Sequence, residues 1–190
     1  MVVFRGQSPL GIKSQIERIC LTRPQEESCG FVILDNNRQV KVLDCVNTHS
    51  IKEKYFRIDP DEYLYFKINS TILAIFHSHV NEPERPSEYD KDMFEELCVP
   101  YYIYSVKTGK MSLSIPDSYI PDSLLGRVYV EDIYQCSSLV RDYLYEQGIN
   151  SRKWIENWIV PSDYKEANKL IIKAIKGNCM EVSQRDIAEG

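Results

Sequence analysis

His77-Ser78-His79 is followed, after seven residues, by Ser87-Glu88-Tyr89-Asp90. These side chains have the types and spacing to hold a metal ion. On a strand, residues i and i+2 point to the same side, so the two imidazoles can face one point in space. Asp90 falls in the first turn of a helix that Ser87 can open. A strand end and a helix start meeting across a loop would then bring two nitrogens and a carboxylate around a single cation. Two His and one Asp, with a fourth position left for water, form the ligand set of a catalytic zinc rather than a structural one. Each piece also has a plainer reading. Ser87 to Asp90 satisfies a capping box, and one His at a strand end is often just a polar residue at a sheet rim. The four fixed positions taken together favour the metal.

The surrounding chain supplies the elements that would hold these groups. The apolar run Ile72 to Phe76 predicts a buried strand that ends in the histidines. Upstream, Ser8-Pro9 offers a helix start, and Ile12, Ile16, Ile19 and Cys20 recur at helical spacing to about Leu21. Cys29 to Leu34 reads as a strand, Asp35 to Arg38 as a turn, and Gln39 to Asn47 as the second strand of a hairpin. Asp59-Pro60-Asp61 opens a helix that carries Tyr63 and Phe66. A further helix runs from Ser87 to about Leu97, and Tyr101–Val106 with Met111–Ile115 form a second hairpin around Thr108-Gly109. The fold class expected is α/β (α+β), a mixed sheet flanked by helices that closes near Pro116. PDSYIPDSLLG then reads as a linker, giving domains at 1–116 and 117–190. The second is mostly helical, with helices from Ser137 to Gln147 and from Ser162 to Gly177, and with Trp154 and Trp158 as core.

Composition narrows the function classes. Hydrophobic content of 43% and charged content of 27% suit a globular chain with a real core. A net charge of −5 and a pI near 5.3 argue against a nucleic-acid partner, which calls for a basic face. No apolar stretch approaches a membrane span, and the N-terminus lacks a signal-peptide h-region. The six cysteines lack C-x-x-C pairs, as expected of free thiols in a reducing cytoplasm.

Glu27-Ser28-Cys29-Gly30, His77-Ser78-His79 and Ser87-Glu88-Tyr89-Asp90 together resemble the JAMM motif of the JAB/MPN metalloproteases. The resemblance covers residues 1–116 and implies their cytidine-deaminase-like mixed sheet. It also implies Zn2+ on His77, His79 and Asp90, with Glu27 as general acid/base and Ser87 helping to stabilise the oxyanion. The substrates implied are peptide or isopeptide bonds. A second resemblance lies downstream. Leu125 to Tyr129, followed by Gln135-Cys136-Ser137 to Tyr143, is similar to the start of an NlpC-type, papain-like cysteine peptidase domain. It makes Cys136 the candidate nucleophile. That pattern usually has Asp where this chain has Gln135, and its catalytic His has no counterpart, since no His follows His79. Arg185 to Gly190 resembles the stretch shortly before that His, so the cysteine half reads as cut short.

A JAB half followed by an NlpC half is the layout of the tail assembly proteins of long-tailed phages. This layout implies a peptide or protein partner, either another tail protein or a peptidoglycan peptide. The host cytoplasm and the virion tail tip are the expected locations. Three readings follow: a zinc peptidase or isopeptidase, a non-catalytic tail-tip component, and a cysteine peptidase lacking its base. The retained Glu27 favours the first. By residue type, Cys29 reads as a small buried group, Ser78 as pointing away from the metal, and His49 as a surface residue. The remaining cysteines read as core.

Overall fold

The computed structural model describes residues 11–147, the side chains of Ser137 and Leu144 excepted. The chain runs α1 (Ile12–Thr22), β1 (Cys29–Leu34), β2 (Val40–Cys45), α2 (Pro60–Asn69), β3 (Thr71–His79), α3 (Glu88–Leu97), β4 (Tyr101–Ser105), β5 (Lys110–Ser114) and α4 (Cys136–Glu146). The expected order of elements and the mixed sheet are both observed. Strands lie in the order β2-β1-β3-β4-β5. Only the β3–β4 pair is parallel, and α3 supplies the crossover that a parallel pair needs.

Both faces of the sheet are covered, so its central strands are apolar almost throughout. One face carries Val32, Phe76, Tyr102 and Tyr104 against the buried stripe Ile12, Ile16 and Cys20 of α1. The other carries Phe31, Ile75, Tyr101 and Ile103 against Phe94 of α3 and the half-buried Tyr63 and Phe66 of α2. A register shift between Val32 and Ile33 interrupts the β1–β3 ladder. Opposite it, Leu73 and Ala74 both join the α1 side, against simple alternation. Gly30 is required by close approach: a Cβ there would lie 2.0 Å from Leu43 O and 2.6 Å from the Phe76 ring.

Several expectations change. The N-cap of α1 is Gly11, without a side-chain cap, and the helix begins with its first buried residue, Ile12. No residue of α2 is fully buried, so Tyr63 and Phe66 cover the sheet only in part. Cys98 is exposed instead of core, because it is the C-cap of α3 in the left-handed conformation (φ 55°, ψ 32°). Within the Pro- and Ser-rich stretch 116–126, Tyr119 is buried while Ile120 and Leu125 are exposed; after it, Val130, Ile133 and Tyr134 join the α1-side core. The described residues up to Tyr143 fall in one compact unit. Ser8-Pro9, Trp154, Trp158, the helix from Ser162, Cys179 and the 185–190 stretch lie outside the described residues.

Candidate metal centre

The strand carrying the two histidines extends through His79, so both ligands sit inside the sheet rather than beyond its end. His77 is paired on both sides, with Cys29 of β1 and Ile103 of β4, and His79 lies opposite Ser105. Alternation turns both imidazoles to the face of Phe94 and Tyr101. There the His77 ring stacks on Phe56 (4.5 Å between centroids, 19° between planes). The two Nε2 atoms are 3.1 Å apart.

Asp90 reaches this point from α3. Its backbone N–H donates to Ser87 Oγ (3.2 Å), while Ser87 N–H donates back to Asp90 Oδ2 (2.7 Å), which completes the capping box. The same carboxylate lies 3.2 Å from His77 Nε2 through Oδ1 and 3.3 Å from His79 Nε2 through Oδ2. The cap and the metal cluster, alternatives on paper, use one side chain together. Burial would raise the Asp90 carboxyl, but the adjacent His77 and His79 imidazoles and the Ser87 hydroxyl outweigh that and hold it far below the usual carboxylate range.

These three groups fit a small cation. His79 Nδ1 donates to Pro83 O (2.7 Å), which leaves the Nε2 lone pair facing the cluster. Among the described residues, Asp90 has no Lys or Arg partner. Two ligands bound about 2.1 Å from a tetrahedral ion are about 3.4 Å apart, close to the 3.1–3.3 Å edges seen here. His77 Nδ1, by contrast, is buried without a hydrogen-bond partner among the described residues.

Glu27 lies two residues before β1 and is 5% exposed. Both of its backbone groups are tied: N–H to Lys52 O (2.7 Å), and C=O to Asn47 Nδ2 (2.9 Å). Its neighbour Ser28 is stitched to Ser78, which lies between the two ligands. Ser28 N–H donates to Ser78 Oγ (2.8 Å), and Ser78 N–H donates to Ser28 O (2.9 Å). Ser78 therefore points away from the cluster while anchoring the acid's own segment. Burial pushes the Glu27 carboxyl up to about 8; the field of His79 opposes this and that of Asp90 adds to it. A cavity of about 340 Å³ opens over the cluster, lined by Glu27, His79, Ser87 and Asp90 and walled by Tyr55, Phe56 and Tyr89.

A family model described as prokaryotic homologs of the JAB domain matches residues 11–116, more than half of the chain. The chain belongs to this JAB family. It is also similar to the tail tip assembly protein K of Escherichia phage N15, at 30% identity over 117 residues. That match takes in 62% of this chain and 47% of the phage protein, so the chain spans about half the length of the curated relative. Similar solved structures include a solution structure from Desulfitobacterium hafniense: 27% identity, TM-score 0.39, 54% of this chain and 75% of that one. Another is from Salinibacter ruber: 16% identity, TM-score 0.37, 64% of this chain and 94% of that one.

Within the JAB sheet, the sequence-derived candidates fall into three groups. His77, His79 and Asp90 form the cluster, and Glu27 and Ser87 line the cavity above it. Ser87 Oγ donates to Asp90 Oδ2 (2.7 Å), so its one proton is engaged, and binding an oxyanion would require that hydroxyl to turn. Cys136 is exposed at the first position of α4, and the described residues place no histidine in hydrogen-bond contact with it. Cys29 is buried with Sγ toward Cys45 O. His49 is half-buried, accepts from Ile51 N–H through Nδ1 (3.0 Å) and stands outside the cluster. Sequence reasoning missed Asn47, Phe56 and the pair Tyr55–Tyr89, whose rings meet edge to face at 5.7 Å. Phe56 and Tyr55 sit in a loop without periodicity, and only the buried amide of Asn47 beside a polar loop could have hinted at a bridging role.

Proposed function

We propose that this chain is a zinc-dependent peptidase or isopeptidase of the JAMM type, working on a peptide or protein substrate in phage tail assembly or cell-wall penetration. One observation carries the reading. Two imidazole nitrogens lie 3.1 Å apart and each within 3.3 Å of an oxygen of the Asp90 carboxylate, and a second buried carboxylate, Glu27, shares their cavity without joining them. A purely structural site would close its coordination with a fourth protein ligand, whereas this one opens onto a cavity. The tail role is supported by the similarity to tail tip assembly protein K.

His77, His79 and Asp90 would hold the zinc. When bound, it supplies Lewis acidity that polarises a carbonyl and makes water a nucleophile at neutral pH. Glu27 removes the proton from the attacking water and returns it to the leaving amine. A carboxyl whose proton affinity burial has raised towards neutrality suits both transfers. The Phe56 ring against His77 shields that ligand from solvent.

Incubation with candidate tail proteins, with and without a chelator, tests the reading. Cleavage should require the metal, and metal analysis should return about one zinc per chain. Glu27→Gln should retain zinc and lower kcat by at least about a hundredfold. A Glu27→Gln variant that cleaves like wild type overturns the assigned mechanism. Stoichiometric zinc with no cleavage of any tail protein or peptidoglycan peptide would instead make the chain a non-catalytic tail-tip component.

A further inference from the structure

Asn47 follows β2, is 2% exposed, and spends its whole hydrogen-bonding capacity on backbone. Nδ2 donates to Glu27 O (2.9 Å) and to Tyr55 O (3.0 Å). Oδ1 accepts from His49 N–H (2.9 Å) and Arg57 N–H (3.1 Å). With two carbonyls on one side and two N–H groups on the other, the amide has one orientation that satisfies all four. Asp lacks the donors, and Gln would displace the amide by a methylene.

These partners lie in two pieces of the site. One is the backbone of Glu27. The other is the 48–57 loop, whose residues Glu53 to Phe56 line the cavity and whose Phe56 stacks on His77. The loop grips Glu27 a second time through Lys52 O, so both backbone polar groups of the acid are held from this side. We infer that Asn47 is a positioning residue: it fixes Glu27 and the 53–56 wall in register with His77, His79 and Asp90. Acid, ligands and cavity then move as one piece. The catalytic half of this inference rests on the proton-carrier role proposed for Glu27; the mechanical half stands on the hydrogen bonds.

Three variants test it. Asn47→Asp keeps an acceptor for His49 and Arg57 but sets a carboxylate against two carbonyls. Asn47→Ser is the second, smaller disruption. Thr48→Val removes only the loop's own Thr48 Oγ1 bond to Arg57 O (3.0 Å) and spares Glu27, so it is the control. Both Asn47 variants should exchange the Glu27 amide hydrogen about tenfold faster than wild type, with those of Phe31 and Ile75 unchanged. Zinc should stay at about one per chain. On a cleaved tail protein, kcat should fall about tenfold or more with KM within about threefold, while Thr48→Val leaves both near wild type. Unchanged exchange at Glu27, a change in KM alone, or loss of folding in both Asn47 variants overturns the inference. If wild type cleaves nothing, the proposed function fails on its own, and the exchange measurement still decides the role of Asn47.

Discussion

Asp90 offers one carboxylate to a helix cap and to two imidazoles, and the two roles are separable by substitution. Asp90→Asn keeps an acceptor for Ser87 but removes the charge that a divalent ion needs. Zinc content measured by metal analysis should fall close to zero while the fold persists. Ser87→Ala acts in the opposite sense. It removes the cap at a cost of about 1 kcal/mol in urea denaturation, and it weakens zinc binding by about tenfold because the carboxylate loses its outer support. These residues were legible in the sequence because their roles follow local rules, with alternation on a strand and a capping signature on a helix. Asn47 was not legible, since its four partners reach from Glu27 to Arg57 and only the folded loop brings them together.

Elements obey the same division. α1, β1 and β3 were readable from apolar spacing because their buried faces are continuous: Ile12, Ile16 and Cys20 on one, and nearly every residue of the two strands. The segment after β5 carries no such signal, because Pro, Ser and Asp dominate its start. Tyr119, Val130, Ile133 and Tyr134 are buried there without a period. Strand β1 is also where the tolerance is least. Gly30→Ala places a methyl carbon 2.0 Å from Leu43 O, backbone that cannot step aside without breaking the β1–β2 ladder. We expect a loss of more than about 3 kcal/mol, or failure to fold, read from urea denaturation. Ile16→Ala, which empties the centre of the α1 stripe, should cost about 2–5 kcal/mol in the same measurement.

At the scale of the molecule, the sheet divides the interior into two clusters and buries three thiols between its layers. Burial pushes Cys20 and Cys29 up to about 12 and raises Cys45 further. Among the five described cysteines, an alkylating reagent at pH 8 should therefore modify Cys98 and Cys136. The other three should react only after denaturation, as mass mapping of labelled peptides would show. No helix of the described residues is long and apolar enough to cross a membrane. The most consequential feature is that His77 and His79 lie on a strand with neighbours on both sides, β1 reaching His77 and β4 reaching both. Donors mounted this way cannot spread to suit their guest. Magnesium and calcium, which want six or more oxygen donors, meet two fixed nitrogens and one carboxylate and gain little by staying. For a bound ion, discrimination would thus lie in the ladder of the sheet that fixes the two imidazoles.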